Sequence, residues 1–310
     1  MRLPHLSHEA RTAYAFLLPN FLGFLLFTSL PVLASLGLSF MEWDILTPPR
    51  FIGLDNFVRL LGFHTAQGRW VPNDPQFWYY VWNTIYLLVG IPIGIFGSLG
   101  LAIVMNQKIP GMVFFRTIFF LPTICSGVAV FLLWKWLYNP DFGLINTGIA
   151  RFGDLIGVPL KGPNWLSSVA WAKLALVLMN FWIGLGGYNA VLYLAALQEI
   201  PQQLYEAAQI DGANAWQRFW TVTWPMISPT TFFIAIMGVI IGFQGGFMAA
   251  YVMTGGGPAG STTTIEYYIY NNAYRWFQMG YAASIAWVLF IVVFVITLIN
   301  WRYGGRSVHY

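Results

Sequence analysis

A chain of 310 residues that is 58% apolar and 18% aromatic, with a mean hydropathy of +0.63, carries more apolar surface than a soluble fold of its length can hide. Only 8% of the residues are charged, and the excess of 15 Lys and Arg over 11 Asp and Glu is too small for a nucleic-acid interface. Composition therefore excludes a soluble globular domain and a nucleic-acid binder, and places the chain in lipid.

Six charge-poor runs, 14–38, 81–105, 117–137, 169–194, 227–250 and 280–300, are long enough for the roughly 20 residues a helix needs to cross a hydrocarbon core. They are apolar on every face for several turns, so strands with alternating polarity are not expected. The expected fold is all-α: one polytopic membrane domain over residues 1–310.

The first run follows Arg2 and Arg11, and VLAS around Ala34 has the look of a signal-peptide cleavage site. The run exceeds the roughly 7 to 15 apolar residues of a secretory signal, so it reads as an uncleaved first span. Next comes a polar segment, Phe40 to Tyr80, ending in FWYYVW; WKWLY at 134–138 and YYIYNNAYRWF at 267–277 are similar aromatic belts, expected at headgroup depth. The turn between the second and third runs, NQKIPGMVFFR, is short and basic.

With both termini placed inside, the inner segments hold Arg2, Arg11, Lys108, Arg116, Arg218, Arg302 and Arg306 against four acids, which fits the positive-inside rule. Cys125, the only cysteine, lies in the third run and reads as a packing residue.

The fourth run contains Asn180, Trp182, Tyr188 and Asn189, and the fifth contains Gln244 and Phe247. Amides and aromatics without charge suit a path for a neutral hydroxylated solute; hydrogen bonding between helices is the structural alternative, as it is for Asn83, Ser284 and Thr297. All eleven acids lie outside the six runs. Carriers driven by protons or sodium place ionisable groups near mid-membrane despite a cost of about 3 kcal/mol, so a self-contained secondary carrier is the weaker alternative.

The segment TGGGPAGSTTT, Thr254 to Thr264, resembles a phosphate loop only superficially, because Ser261 follows Gly260 with no lysine between them. It reads as a flexible outer turn, and no nucleotide site is expected on this chain. His5 and His8 have HxxH spacing but sit in a proline-containing tail, so no metal site is expected either. The chain has no GxSxG nucleophile motif, which leaves an intramembrane hydrolase unsupported.

One polar segment stands apart between the fourth and fifth runs, from Gln198 to Pro225. Pro201 can open a helix; Leu204, Ala207 and Ala208 then share one small apolar face with Glu206 beside it. Asp211 and Gly212 interrupt that helix, and Asn214 can cap a second one that ends before Pro225.

The stretch IPQQLYEAAQIDGANAWQRFWTVTWPMISP resembles the EAA loop of membrane subunits of binding-protein-dependent ABC importers, with Glu206-Ala207-Ala208 and Asp211-Gly212-Ala213 as the matching core. GLDNF around Asn56, RTIFFLP ending at Pro122, LAALQEIP, TGGGP and GYAAS at 280–284 extend the resemblance over most of the chain, closest to the maltose and glycerol-phosphate type of carbohydrate permease.

That resemblance implies a type I importer permease of six transmembrane helices in the bacterial cytoplasmic membrane, with the loop at 198–225 acting as a coupling element. It implies no catalysis by this chain, and ATP with Mg used by a dimeric partner ATPase that receives the loop. It further implies a second, similar permease, an extracytoplasmic solute-binding protein, a sugar or sugar-like solute, and transport by alternating access.

Overall fold

The computed structural model describes residues 8–107, 110–125 and 127–304. Arg2, His5, Lys108, Arg306 and His309 lie outside the described residues. The chain divides into two compact units, one reaching up to Asp74 together with Ile269–Val288, the other Pro75–Tyr268 together with the chain from Leu289.

The first unit begins with α1 (His8–Phe24) and α2 (Leu30–Ser39), joined without a break through a π-helical turn at Leu25–Ser29. Proline explains the turn. Pro31 has no N–H, and its ring crowds the carbonyl four residues back; a wider turn just before it relieves the clash. The Leu30 N–H reaches back to Leu25 accordingly.

After α2 the chain forms a short antiparallel ribbon, β1 (Met41–Glu42) with β2 (Arg50–Phe51), then α3 (Asp55–Leu61), then a hairpin of β3 (Phe63–Ala66) and β4 (Arg69–Pro72). The hairpin turns on Gln67 and Gly68, both at positive φ, the geometry that matches strand twist. These small strands are additions to the all-helical expectation, within the segment predicted only as polar and outer. Asn56 donates to the carbonyls of Ser39 and Met41 at 2.9 and 3.0 Å and so fixes α3 against the end of α2.

In the second unit α4 (Pro75–Leu88) and α5 (Gly90–Met105) form one long apolar stretch, followed by α6 (Met112–Ile124), α7 (Gly127–Leu137) and α8 (Leu144–Ile156). The third predicted span is thus broken: Pro122 weakens the end of α6, and Cys125 is extended. Next come α9 (Val169–Leu185), α10 (Gly187–Glu199), α11 (Gln202–Ile210) and α12 (Ala215–Arg218).

A second π turn, Phe219–Thr223, leads straight into α13 (Trp224–Gln244), with Pro225 two residues beyond it, as Pro31 is beyond the first. The helix predicted to end before Pro225 therefore continues through it, and a continuous helix runs over Ala215–Gln244, with the rest of the 227–250 run, past Gly245, in α14. It stops at Gly245; α14 (Gly246–Met253) and α15 (Ile265–Tyr270) follow, and α16 (Met279–Gly304) closes the chain.

Among the described residues, five helical stretches are long and apolar enough to cross a membrane: Thr12–Ser39, Pro75–Met105, Val169–Glu199, Ala215–Gln244 and Met279–Arg302, with α6 and α7 making a sixth if taken together. One core of the second unit joins α5, α10 and α13 through Leu99, Ala102, Tyr193, Leu197, Ile227 and Ile234. Another gathers Tyr138, Trp165, Leu176, Met179 and Met253. Gly238 and Gly242, one turn apart on α13, admit Ile91 of α5 so closely that a Cβ at either would touch its side chain.

Candidate functional site

The elbow between α10 and α13 is built from local sequence. Pro201 stands at the N-cap of α11, where its missing N–H costs nothing. The helix ends in a Schellman motif: Gly212, at φ +78°, donates to Gln209 at 3.0 Å, and Ala213 donates to Ala208 at 2.9 Å. Asp211 donates its N–H to Ala207 at 3.0 Å. The AA and DGA of the motif thus supply the two sides of one helix stop. Asn214 then opens α12 with a reciprocal capping box, accepting from the Gln217 N–H at 2.9 Å while its own N–H reaches the Gln217 amide at 2.8 Å.

Little of this elbow is covered. Ile210 is 87% exposed and Trp216 69%, Leu204 and Ala207 lie open, and Glu206 and Asp211 belong to no ion pair among the described residues. Its inner side is anchored, however. Tyr205 packs on the α5–α10–α13 core beside Phe219 and Trp224, and its hydroxyl meets that of Thr223 at 2.8 Å. The sequence reading missed this tie, which links the elbow to the foot of α13; a tyrosine directly before the EAA triplet was the available signal.

The proposed solute-path residues do not all converge. Asn180 of α9 and Asn189 of α10 line one cavity of about 280 Å³, walled by α4, α5, α13 and α14 and floored by glycines at 184, 238, 242, 245 and 246. Asn189 also lines a second cavity, of about 340 Å³, together with Tyr188, Thr123 and Phe131. Tyr188 meets Phe120 edge-on at 6.1 Å, and Trp182 meets Trp134 at 6.2 Å. Phe247 stacks on Tyr251 at 5.3 Å and meets Tyr267 edge-on, while Gln244, the last residue of α13, lines neither cavity.

Between the two asparagines the helix breaks. Gly186 leaves helical geometry and Gly187 sits at φ +64°, with the Phe119 carbonyl of α6 pressed against the Cα of Gly186. Backbone so close to another helix admits no side chain, which is why glycine occupies the position.

The 254–264 segment is not a flexible turn. Ser261, Thr262, Thr263 and Thr264 are all buried. Thr262 and Thr263 donate to the carbonyls of Gly257 and Gly256, and the Asn83 amide donates to those of Gly260 and Thr263 at 2.9 and 3.0 Å. Thr84 accepts from the Ile265 N–H. Hydroxyls that pair within the loop make its burial possible without leaving its carbonyls dry.

Beyond the loop, Glu266 accepts from the Phe247 N–H at 2.9 Å, at the first turn of α14 next to the Gly245–Gly246 wall of the asparagine cavity. Burial pushes its carboxyl above the usual range, and the Phe247 amide draws it part of the way back. By contrast, Ser284 and Thr297 bond to carbonyls of their own helix and, among the described residues, to no other element. Among the described residues no group of three or more His, Cys, Asp or Glu is arranged to hold a metal ion.

Residues 90–302 match the family described as binding-protein-dependent transport system inner membrane component. The chain is 36% identical over 301 residues to the probable ABC transporter permease protein YesP of Bacillus subtilis (strain 168), covering 96% of this chain and 91% of that one. It is 38% identical over 263 residues to the lactose transport system permease protein LacF of Rhizobium radiobacter, covering 83% and 82%. In three dimensions it resembles a chain of the bacterial alginate ABC transporter solved in complex with alginate pentasaccharide-bound periplasmic protein, with a TM-score of 0.79, 25% identity, and coverage of 96% and 95%.

Proposed function

Because the chain belongs to the binding-protein-dependent transport system inner membrane component family of ABC transporter permeases, we propose that it is the translocation subunit of an ATP-driven importer for a saccharide, moved by a partner ATPase through the elbow at 198–225. It is a multi-pass protein of the inner membrane. On the proposed orientation both termini and the elbow are cytoplasmic, and the 40–74 and 251–279 segments face outward. The saccharide class is drawn from relatives such as the lactose permease and from the alginate transporter, and the latter's bound periplasmic protein motivates a solute-binding partner here. A second, similar permease completes the pathway.

The observation that carries the reading is the elbow: rigidly capped at both corners, uncovered outside, and tied inside to α13 through Tyr205 and Thr223. An ATPase pair that binds ATP more tightly when closed can shift the spans only through a contact that differs between its two states. A push on α11 passes directly into α10, and through the Tyr205–Thr223 bond into α13. Both helices wall the cavity that Asn180 and Asn189 line, so the same motion can open that cavity to either side. Nucleotide and Mg belong to the ATPase; this chain supplies no group to the hydrolysis.

Glu206→Lys tests the docking by charge, and Gly212 tests its geometry. Glu206→Lys is expected to abolish co-purification of the ATPase with the chain while membrane insertion continues. Gly212→Ala, forced into the left-handed region at a cost of about 1–2 kcal/mol, should weaken co-purification several-fold. Gly212→Asn should restore most of it, because no neighbour lies near the missing Cβ and asparagine tolerates that backbone. Unchanged co-purification and uptake in Glu206→Lys would refute the coupling role. Failure of the asparagine variant would show that the glycine is needed for close approach by the ATPase as well as for the turn.

A further inference from the structure

A cavity of the first unit has a lining unlike that of the membrane-facing helices. It encloses about 790 Å³ and is bordered by Trp43, Asp44, Asn56, Arg59, Trp276 and Gln278. One wall is the chain leaving β1, the other the start of α16: the Met279 N–H donates to Trp43 at 2.9 Å, and Gly280 lies so tightly against Met41 that a Cβ there would overlap its carbonyl. The cavity is therefore framed by backbone contacts.

Its polar groups are held in place, with their free sides left over. Asp44 Oδ1 accepts from the N–H of Leu46 at 3.1 Å and from the N–H and hydroxyl of Thr47 at 2.8 and 2.6 Å. Those bonds hold its carboxyl below the usual range, so it is an ionised acceptor whose other oxygen takes no bond among the described residues.

Among the described residues Arg59 has no carboxylate partner; its guanidinium lies over the ring of Tyr281, 4.0 Å from the centroid. Tyr281 is itself buried, and its hydroxyl donates to the buried Asp74. A buried tyrosine–aspartate pair thus orients an exposed arginine, whose N–H edges remain available in the plane of the fork. The amide oxygen of Gln278 is buried without a partner.

We infer that this cavity is a saccharide-binding subsite. A fixed acceptor, a fixed planar donor and an unsatisfied amide, set between two tryptophans, match an uncharged polyhydroxyl ring, which needs donors and acceptors around its edge and apolar surface on its faces. With Glu42 paired to Arg50 at 2.6 Å, the remaining lining charges, Asp44, Asp55 and Arg59, do not add up to a site of one strong sign. The volume lies within the range of about 300–1,000 Å³ typical of small-molecule sites. The inference rests on the saccharide reading above and adds a place, on the proposed outer side, where solute is held apart from the asparagine cavity.

The test uses the complete transporter in nanodiscs without its solute-binding protein. Lactose, maltotriose and raffinose serve as uncharged probes at millimolar concentration, with binding read by saturation-transfer difference NMR. At least one probe is expected to bind, and Asp44→Asn and Arg59→Ala are each expected to raise its Kd about tenfold. Asp44→Asn keeps the shape of its turn, and co-purification of the ATPase reports that either variant is assembled. Binding of none of the three by the unaltered complex overturns the inference, as does unchanged affinity in assembled variants. Variants that keep the saccharide but no longer capture the solute-binding protein when it is added back would overturn the inference and make the cavity a protein-docking face. ATP-dependent saccharide uptake, measured separately, tells failure of this subsite from failure of the transport reading.

Discussion

Glu266 is a residue whose chemistry is set by its surroundings. Its folded-state carboxyl titrates above the ordinary glutamate value of 4.5 because burial disfavours the charge more than the Phe247 N–H favours it. The protonated form therefore stabilises the fold: that contribution is complete below about pH 4.5 and is lost as pH rises through the raised value. Glu266→Gln keeps an acceptor for the Phe247 N–H but never ionises. Thermal midpoints measured from pH 4.5 to 7.5 should fall with rising pH for the native chain relative to the glutamine variant. Glu266→Ala, which removes the acceptor, should cost about 1–3 kcal/mol at every pH. A glutamine variant with the same pH slope as the native chain would show that Glu266 is not the group responsible. As a residue Glu266 was visible in the sequence, the one acid in an aromatic run. Its role was not, because the partner lies 19 residues away across a loop whose glycines read as flexible. Local composition favours a loose turn there, and it is the pairing of the Thr262 and Thr263 hydroxyls with loop carbonyls, together with the bonds from Asn83 and to Thr84, that lets it be buried.

At the scale of elements, apolar length made the helices legible, while their breaks were not. The run from 169 to 194 contains adjacent glycines at 186 and 187, but lipid-embedded helices are rich in glycine, so the pair was a weak mark of interruption. What breaks the helix is tertiary: α6 comes so close that Gly186 faces the Phe119 carbonyl and Gly187 faces the Thr123 methyl, which would lie 2.7 Å from an added Cβ. Gly187→Ala should lower stability by about 1–2 kcal/mol from its left-handed backbone alone, with the methyl overlap added. Thr123→Ser in that background removes the methyl, keeps the hydroxyl that donates to Phe120, and should recover only the overlap part. Thermal unfolding of the single and double variants checks this; a serine that recovers nothing would mean α6 moves aside freely. Proline misled in the opposite direction. Pro225 was read as a helix stop, yet the π turn before it lets the helix pass, as the turn before Pro31 does. The corner of the elbow was readable, since its caps at Gly212 and Asn214 are short-range, while the second helix ran on past Pro225.

Over the whole molecule, the outward surfaces of the long helices have nothing from this chain to cover them: Phe16 and Phe27 are each more than 80% exposed, and none of the most apolar stretch of Thr12–Ser39 is buried. Lipid or a second permease must cover such surface. On the proposed reading a second permease completes the pathway, and the cavity of about 280 Å³ forms this chain's share of it. Two consequences can be measured together in proteoliposomes. On the proposed reading, which leaves nucleotide to the ATPase, the purified chain alone should accumulate no saccharide against a gradient, whereas the complex with its partners and ATP should. Within that complex, Asn180→Ala and Asn189→Ala are each expected to lower uptake about five- to tenfold, the loss of roughly one hydrogen bond in the path, with ATPase co-purification unchanged. Gln244→Ala should leave uptake near the native level, because Gln244 lines neither cavity. Equal loss in all three variants would move the solute path toward the end of α13, and accumulation by the chain alone would replace the coupled importer with a self-contained carrier.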